Sequence, residues 1–475
     1  MNVKVIINTM AKVMLIEAAL MVLPLAVGFI YGEDCVSSIA ITIAIAVVLG
    51  FVLQKLTKTN TKGAYIKEGF AIACLSWIVM SAIGALPFVF AKEIPNFIDA
   101  FFEVVSGFTT TGASILTDVE AMSHGLLFWR SFTHWVGGMG ILVFVMAIIE
   151  NPDRSINIMR AEMPGHALDK FTSKSKTMAK TLYYLYLAIT GLEIVFLLLG
   201  GMPLFDSLVT AFGTAGTGGF GIKADSIASY NAYCQWVVGI FMLLFGVNFN
   251  IYYLLVIKKF KNVLESNELW TYIGIAVGAT IIISINIAPL YGSLSETVRT
   301  AFFQVSSIST TTGFATTNFD VWPQLSKCVL FLLMFSGGCL GSTAGGIKVT
   351  RIVVLFQTLK NDVKRRINPR SVHNVRLNGK TIDASEEKNV SSYLALYVFV
   401  LIITTLLISF EPFDFESNIT AAVSCFNNIG PAFAAFGPTS SYAAYSGFSK
   451  LVLSFAMLAG RLEIYPLLVL FARKK

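Results

Sequence analysis

The chain has 475 residues, of which 55% are apolar and only 13% are charged, and its mean hydropathy is +0.71. A chain with so little polar surface cannot cover itself as a soluble globule, so the composition predicts a polytopic membrane protein. The formal net charge of +7 comes from lysines and arginines that cluster in alternate loops. That pattern is an orientation signal, which makes nucleic-acid binding a poor explanation of the charge.

Ten apolar stretches are long enough, at roughly 20 residues each, to cross about 30 Å of hydrocarbon. They lie near residues 10–31, 36–54, 69–91, 125–149, 181–201, 235–257, 270–290, 327–345, 389–410 and 447–472. The first stretch lacks a small-residue cleavage pattern and is followed by a second span, so it is interpreted as a retained helix.

Shorter semi-apolar segments lie between the members of the last four pairs of spans, at 97–112, 204–219, 297–313 and 416–430. They are too short to cross a bilayer and predict re-entrant half-helices. The predicted fold is therefore all-α and integral to the membrane, with ten transmembrane helices and four helix–pore loop–helix repeats around a pseudo-fourfold axis, like a potassium channel. The predicted divisions are 1–65 for two additional N-terminal helices, 66–150 for repeat 1, 151–257 for a cytoplasmic connector and repeat 2, 258–360 for repeat 3, and 361–475 for a second connector and repeat 4.

The loops rich in lysine and arginine are predicted to face the cytoplasm, together with both termini. The four half-helices then enter from outside, where acidic residues would attract cations. Three of those acids, Asp99, Asp206 and Glu416, are expected to cap the half-helices, although a role in conduction is the alternative. The polar connectors 151–180 and 360–388 are either docking surfaces for a soluble partner or solvated inner loops.

Each half-helix leads into a short segment that ends in glycine. Thr109-Thr110-Thr111-Gly112 is echoed by Thr310-Thr311-Thr312-Gly313, and the other two segments are variants of this pattern. Glycine lets carbonyls turn inward, and carbonyl oxygens can replace the water around a bare cation. The predicted ligands are the backbones of Thr110, Thr111 and Gly112; Thr217, Gly218 and Gly219; Thr311, Thr312 and Gly313; and Asn428, Ile429 and Gly430. The alternative is that these small residues only allow close helix packing.

The segment 336–346 interrupts the eighth apolar stretch with many small residues. Irregular backbone at membrane depth is tolerated only where it lines water or is buried in protein, so the segment predicts a gate beneath the filter. The candidate gate residues are Gly337, Gly338, Gly341, Gly345, Gly346 and Arg461. A tightly packed helix crossing is the alternative for the segment. Arg461 either sets an electrostatic barrier to cations or pairs with Glu463 or with carbonyls of another helix.

Two strings resemble enzyme motifs. Residues 216–221 fit a dinucleotide-binding glycine pattern, but no strand precedes them, and the P-loop-like string at 341–348 lacks the required ending. Neither a zinc-protease nor a serine-hydrolase motif occurs, so the chain is predicted not to be an enzyme. The six single cysteines are interpreted as packing residues.

The four glycine-ending loops, together with Gly460-Arg461-Leu462-Glu463, resemble the Trk/Ktr/HKT superfamily of potassium transporters, and most closely its Trk-type membrane subunits. The resemblance implies a homodimer with one pore in each protomer, potassium as the ion held at the filter residues, and a gate loop with Arg461 beneath the filter. It also implies a cytoplasmic ring of nucleotide-binding, TrkA-like regulatory proteins and a bacterial or archaeal plasma membrane. No organic cofactor is expected. Gly216 and Gly218 stand where the first loop has threonine, which is expected to loosen one wall of the site.

The function predicted from these features is potassium uptake through a gated selective pore, driven by the membrane potential. The alternative is an ion-coupled secondary transporter that moves potassium with protons or sodium. Such a transporter would need a carboxylate committed at the midplane, for which Glu193 is the candidate.

Overall fold

A computed structural model describes residues 2–57, 66–140, 175–370, 374–378 and 380–471 of the chain. In chain order its helices are α1 (Val3–Leu20), α2 (Val22–Tyr31), α3 (Cys35–Leu56), α4 (Ile66–Phe90), α5 (Phe97–Phe108), α6 (His124–Gly138), α7 (Ser175–Leu199), α8 (Leu204–Gly216), α9 (Ala232–Phe245), α10 (Phe249–Val256), α11 (Phe260–Leu264), α12 (Asn267–Ile287), α13 (Leu294–Ser309), α14 (Gln324–Ser336), α15 (Val349–Ile367), α16 (Ala384–Ile408), α17 (Phe415–Asn427), α18 (Gly447–Arg461) and α19 (Tyr465–Phe471). One small antiparallel hairpin, β1 (Arg376–Leu377) and β2 (Lys380–Thr381), departs from the all-helical prediction.

Several of these helices are long and apolar enough to cross a membrane. Six spans pass that test within the described ranges, and α9 with α10 would be a seventh, bent by 89°. Residues 141–149 of the fourth predicted span and 151–174 of the first connector lie outside the described residues. The fold is thus a helical membrane protein, as predicted, while the count of ten spans stays a prediction.

Four short helices, α5, α8, α13 and α17, lie where the half-helices were predicted. Each is largely buried, and each ends just before its glycine-containing loop. The expectation that Asp99, Asp206 and Glu416 cap these helices is wrong. The capping positions belong to earlier residues, such as Asn96 and Asp414, whose side chains accept amide hydrogen bonds of 2.9 Å and 3.1 Å.

The three acids instead lie in the first helical turn and bind other elements. Asp99 pairs with Lys450 at 2.7 Å, and Asp206 accepts from the Tyr230 hydroxyl at 2.7 Å. Glu416 lies 3.2 Å from Lys327. A carboxylate in the first turn still favours the positive end of the helix dipole. These contacts fasten the N-terminal ends of three half-helices to the surrounding elements.

The eighth apolar stretch is broken, as its composition predicted. Helix α14 ends at Ser336 and α15 begins at Val349, so residues 337–348 cross this depth without a helix. Backbone hydrogen bonds tie this intramembrane segment to the break between α9 and α10: the Cys339 amide donates to the Gly246 carbonyl at 2.9 Å, and the Phe249 amide donates to the Gly341 carbonyl at 3.1 Å. The two irregular stretches therefore satisfy each other's polar groups away from water.

Candidate ion-conduction site

The four glycine-ending loops share one backbone conformation. In each loop two residues, separated by one other, have positive φ: Thr110 (56°) and Gly112 (78°), Thr217 (55°) and Gly219 (76°), Thr311 (57°) and Gly313 (89°), and Asn428 (57°) and Gly430 (100°). Left-handed residues are rare outside glycine, and three threonines and an asparagine adopt this conformation here. Alternation of left-handed with other conformations turns successive carbonyls toward one side of the chain, as a carbonyl-lined site requires.

The same four loops meet in a ring. The final glycine of each loop lies against the carbonyl oxygen that precedes the final glycine of the next loop: Gly112 against Gly218, Gly219 against Thr312, Gly313 against Ile429, and Gly430 against Thr111. A Cβ at Gly430 would lie 2.7 Å from the Thr111 oxygen, closer than real Cβ contacts. Two separate constraints thus require glycine at these positions, namely the positive φ angle and the closeness of the neighbouring backbone.

A cavity of about 270 Å3 opens on one side of this ring, and all four final glycines line it. Its charged lining residues are Arg130 and Lys223, and none of its described lining residues is acidic. The expected negative charge of the outer loops therefore does not line this mouth within the described residues. Serine, threonine and tyrosine side chains supply the remaining polar surface, including Ser114, Thr439 and Tyr442.

Loops 1 and 3 are near copies of each other in their hydrogen bonds. The hydroxyls of Thr109 and Thr111 lie 2.8 Å apart, and those of Thr310 and Thr312 lie 2.7 Å apart. Loop 4 uses an amide instead: Asn428 Nδ2 donates to the Thr111 hydroxyl and to the Met457 carbonyl, both at 2.9 Å. The fourth loop is thereby fastened to the first, which closes the ring.

Loop 2 is supported by a histidine in place of threonine side chains. A Cβ on Gly218 would overlap the His134 ring, and one on Gly216 would overlap the His134 backbone. His134 Nδ1 lies 2.7 Å from the Gly107 carbonyl, and Nε2 accepts from the Phe220 amide at 3.3 Å. The expectation that the glycines loosen this wall is wrong, because the imidazole fills the space.

A buried ion pair braces the back of the ring. Arg130 Nε donates to Glu103 Oε1 at 2.6 Å, and both side chains are almost wholly buried. Glu103 also accepts from Ser114 Oγ at 2.9 Å and from the Ile115 amide at 2.8 Å, while Arg130 Nη1 donates to the Gly221 carbonyl at 3.0 Å. Through these bonds the pair joins half-helix α5 to the residues that directly follow loops 1 and 2.

The intramembrane segment lies directly beneath the ring. The Gly345 amide donates to the Thr311 hydroxyl at 2.7 Å, and Gly345 abuts the Asn427 carbonyl. Gly337, Gly341 and Gly346 have φ of 62°, 77° and 75°. Glycine is therefore needed at these three positions for the segment to turn back under the filter loops.

Arg461 joins this segment to α6. Its guanidinium donates to the Thr343 carbonyl at 2.7 Å and to the carbonyls of Gly137 and Gly138 at 2.6 Å and 2.8 Å. Glu463 forms its ion pair with Arg351. Glu463 and carbonyls of another helix were the two partners predicted for Arg461 as alternatives to a barrier role. The structure shows hydrogen bonds to carbonyls of other elements.

A family model described as "TrkH: Cation transport protein" matches residues 36–475. This chain belongs to the TrkH family. The Trk system potassium uptake protein TrkH of Salmonella typhimurium is 33% identical over 479 residues, which cover 99% of each chain. TrkG of Escherichia coli is 32% identical over 99% of this chain and 98% of its own. The crystal structure of the potassium transporter TrkH from Vibrio parahaemolyticus superimposes with a TM-score of 0.90 at 29% identity and covers 99% of both chains.

The resemblance identified from the four loops is thus confirmed, and so is the prediction that the chain is not an enzyme, because the TrkH family comprises cation transport proteins. Two features of this TrkH-family chain were not predicted from its sequence, namely the Arg130–Glu103 pair and the role of His134. Their signal was present: ionisable residues inside apolar stretches are costly and need a specific partner. The partners themselves lie 27 to 91 positions away on other elements, so only the fold reveals them.

Two oxygens in the ring lack a protein partner. Thr110 Oγ1 and Asn428 Oδ1 are buried and accept or donate no hydrogen bond within the described residues of this TrkH-family chain. They occupy the same position in loops 1 and 4 that the Thr311 hydroxyl occupies in loop 3. Buried polar atoms are normally satisfied, so these two oxygens are exceptions to that rule within the described residues.

Proposed function

We propose that this chain takes up potassium through a gated, selective pore in the plasma membrane of a bacterium or archaeon. The ring of four loops is the observation that carries this proposal, because it brings four sets of backbone carbonyls to one place without side-chain bulk. The names of the relatives as potassium uptake proteins support the choice of ion. We infer that the membrane potential drives this uptake, since it supplies about 2.3 kcal/mol per 100 mV for each charge that enters.

The proposal includes ten spans arranged as four repeats about a pseudo-fourfold axis, with both termini in the cytoplasm. The four matching loops support the repeat arrangement. It also includes potassium sites at the twelve predicted filter residues, a homodimer with one pore in each protomer, and a cytoplasmic nucleotide-binding ring that controls opening. The intramembrane segment 337–348 and Arg461 form the gate, since they lie beneath the ring and are bonded to it or to each other.

Ion flux into proteoliposomes tests the filter. Purified protein under an imposed negative-inside potential should take up rubidium and exclude sodium. Gly313→Ser should lower the rubidium-to-sodium ratio, because its side chain would push against the Ile429 carbonyl. Gly278→Ser is the matched control, since nothing lies within 4 Å of its Cβ position. Unchanged selectivity in Gly313→Ser would count against the filter assignment.

Deletion of residues 337–345 tests the gate. Removing the segment beneath the ring should raise basal rubidium uptake in the absence of any regulatory protein. Uptake that stays low in a folded, monodisperse deletion variant would refute the gate.

The second candidate function is ion-coupled transport. Glu193 on α7 is fully buried, and no cationic side chain pairs with it within the described residues. A buried carboxyl without a cationic partner is the kind of group that carries a proton. Rubidium uptake measured at fixed potential with and without a proton gradient separates the two functions. Uptake through a pore should not change with the gradient, whereas uptake by a symporter should become faster. In a symporter, Glu193→Gln should abolish that increase.

A further inference from the structure

One carboxylate joins the intramembrane segment to the helix that follows it. Glu268 lies in the first turn of α12 and is 4% exposed. Its Oε1 atom accepts the Leu340 amide, within the segment, at 2.5 Å, and it also accepts the hydroxyl of Thr350, in the first turn of α15. A charged acceptor makes stronger hydrogen bonds than a carbonyl does. A single side chain therefore bridges the segment and the first turn of α15, in addition to the bonds that the segment makes to other elements.

The neighbouring residue connects the same helix turn to the cytoplasmic connector. The Asn267 amide donates to Asn378 Oδ1 at 3.0 Å, and Asn378 follows strand β1 in the hairpin. Leu377 of the hairpin also packs against the apolar cluster that contains Cys339 and Val349, at the two ends of the segment. The hairpin thus packs against the cluster to which the segment contributes, and it is hydrogen-bonded to the residue next to Glu268.

We propose that Glu268 is a positioning residue that latches the intramembrane segment in place, and that the Asn378–Asn267 hydrogen bond couples this latch to the hairpin. Displacement of the hairpin from the cytoplasmic side would shift the first turn of α12 and withdraw the carboxylate from Leu340 and Thr350. The gating role of the segment rests on the proposed function. The latch concerns only how the segment is held in place.

Cys339 provides a direct reporter of the latch, because it lies in the segment and is 1% exposed. Cys328 is exposed, so it is replaced by serine in all variants. Glu268→Ala should increase the rate at which a membrane-permeant maleimide labels Cys339 by roughly tenfold, the shift expected for loss of a hydrogen bond to a charged group. Glu268→Gln keeps an acceptor oxygen but loses the charge, so it should label at a rate between those of the parent and Glu268→Ala.

Cys74 and Cys425, which are fully buried elsewhere, separate release of the segment from general loosening. They should stay unlabelled in Glu268→Ala. Labelling of all three cysteines together, a parental rate for Cys339, or a rate in Glu268→Gln as high as in Glu268→Ala would each overturn the latch.

The coupling to the hairpin is tested by a double-mutant cycle. Asn378→Ala alone should also speed Cys339 labelling, and it should add nothing in the Glu268→Ala background, because both changes act on one connection. Additive effects, or no effect of Asn378→Ala, would overturn the coupling. Thiol labelling does not depend on ion flux, so a protein that failed to transport potassium would refute the proposed function and leave this test intact.

Discussion

The imidazole of His134 occupies the volume that a side chain on Gly218 would need. Both ring nitrogens are committed, Nδ1 to the Gly107 carbonyl and Nε2 to the Phe220 amide. A carbonyl can only accept and an amide can only donate, so these partners select the neutral tautomer with its proton on Nδ1. The ring joins half-helix α5 to loop 2 and gives that loop the support that threonine pairs give loops 1 and 3.

We expect Gly218→Ala to impair the protein, because the added methyl meets a ring that is fixed at both nitrogens. The variant should show a lower melting temperature and a lower rubidium-to-sodium uptake ratio than the parent. Gly278→Ala on α12 is the control: its Cβ would lie in open space, and glycine-to-alanine changes inside a helix stabilise by up to about 1 kcal/mol. Equal melting temperatures and uptake ratios for Gly218→Ala and Gly278→Ala would show that the fit between His134 and Gly218 contributes to neither stability nor selectivity.

We expect Arg130→Ala to be strongly destabilising, since it leaves the Glu103 carboxylate buried without its cation. Breaking a buried pair by removing one partner costs about 3–5 kcal/mol. Lys261→Ala removes a pair whose side chains are 86% and 58% exposed and should have little effect. Thermal unfolding in detergent, followed by tryptophan fluorescence, compares the two. The double variant Arg130→Ala/Glu103→Gln should recover part of the loss, and equal melting temperatures for Arg130→Ala and Lys261→Ala would contradict the brace.

We expect Arg461→Ala to raise basal rubidium uptake, because it removes a positive charge below the ring and releases the Thr343 carbonyl from α6. Arg461→Lys should raise uptake less: it keeps the charge, but a compact ammonium lacks the planar fork that reaches carbonyls on two elements. The measurement is uptake into proteoliposomes at a fixed potential. Uptake in Arg461→Ala equal to that of the parent would show that this arginine restrains neither the ion nor the segment.

We expect Glu33 to make the stability of the fold sensitive to acid. Burial raises the pKa of this carboxyl, but hydrogen bonds from the Gly125 and His124 amides and from the His124 ring outweigh burial, so its pKa lies below the ordinary 4.5. A depressed pKa stabilises the folded state above about pH 4.5, and that contribution is lost as the pH falls through the folded-state value.

The melting temperature of the parent should therefore exceed that of Glu33→Gln at neutral pH, and the gap should shrink on acidification to about pH 3. Glu265→Gln, at a largely exposed pair, serves as the control. A gap that stayed constant across this range would show that Glu33 does not titrate with folding.

Much of the fold could be predicted from the sequence because its signals are local. Length and hydropathy indicated the spans, and the break at 337–348 followed from its run of small residues. The half-helix caps were misassigned, because an acid near a helix start can lie at the cap or inside the first turn with nearly the same sequence pattern. Which of the two occurs depends on the backbone at Asn96 or Asp414, where the chain turns into the helix.

The sequence by itself determined that this chain lies in a membrane and that four loops have glycine where a left-handed backbone is needed, since hydrophobicity and φ preference belong to single residues. Only the tertiary structure decided which groups meet. Gly112 abuts Gly218, His134 bonds across 86 positions to Phe220, and Arg461 bonds across 324 positions to Gly137. Such pairings depend on the packing of whole helices, which brings distant buried polar groups together because each must find a partner away from water.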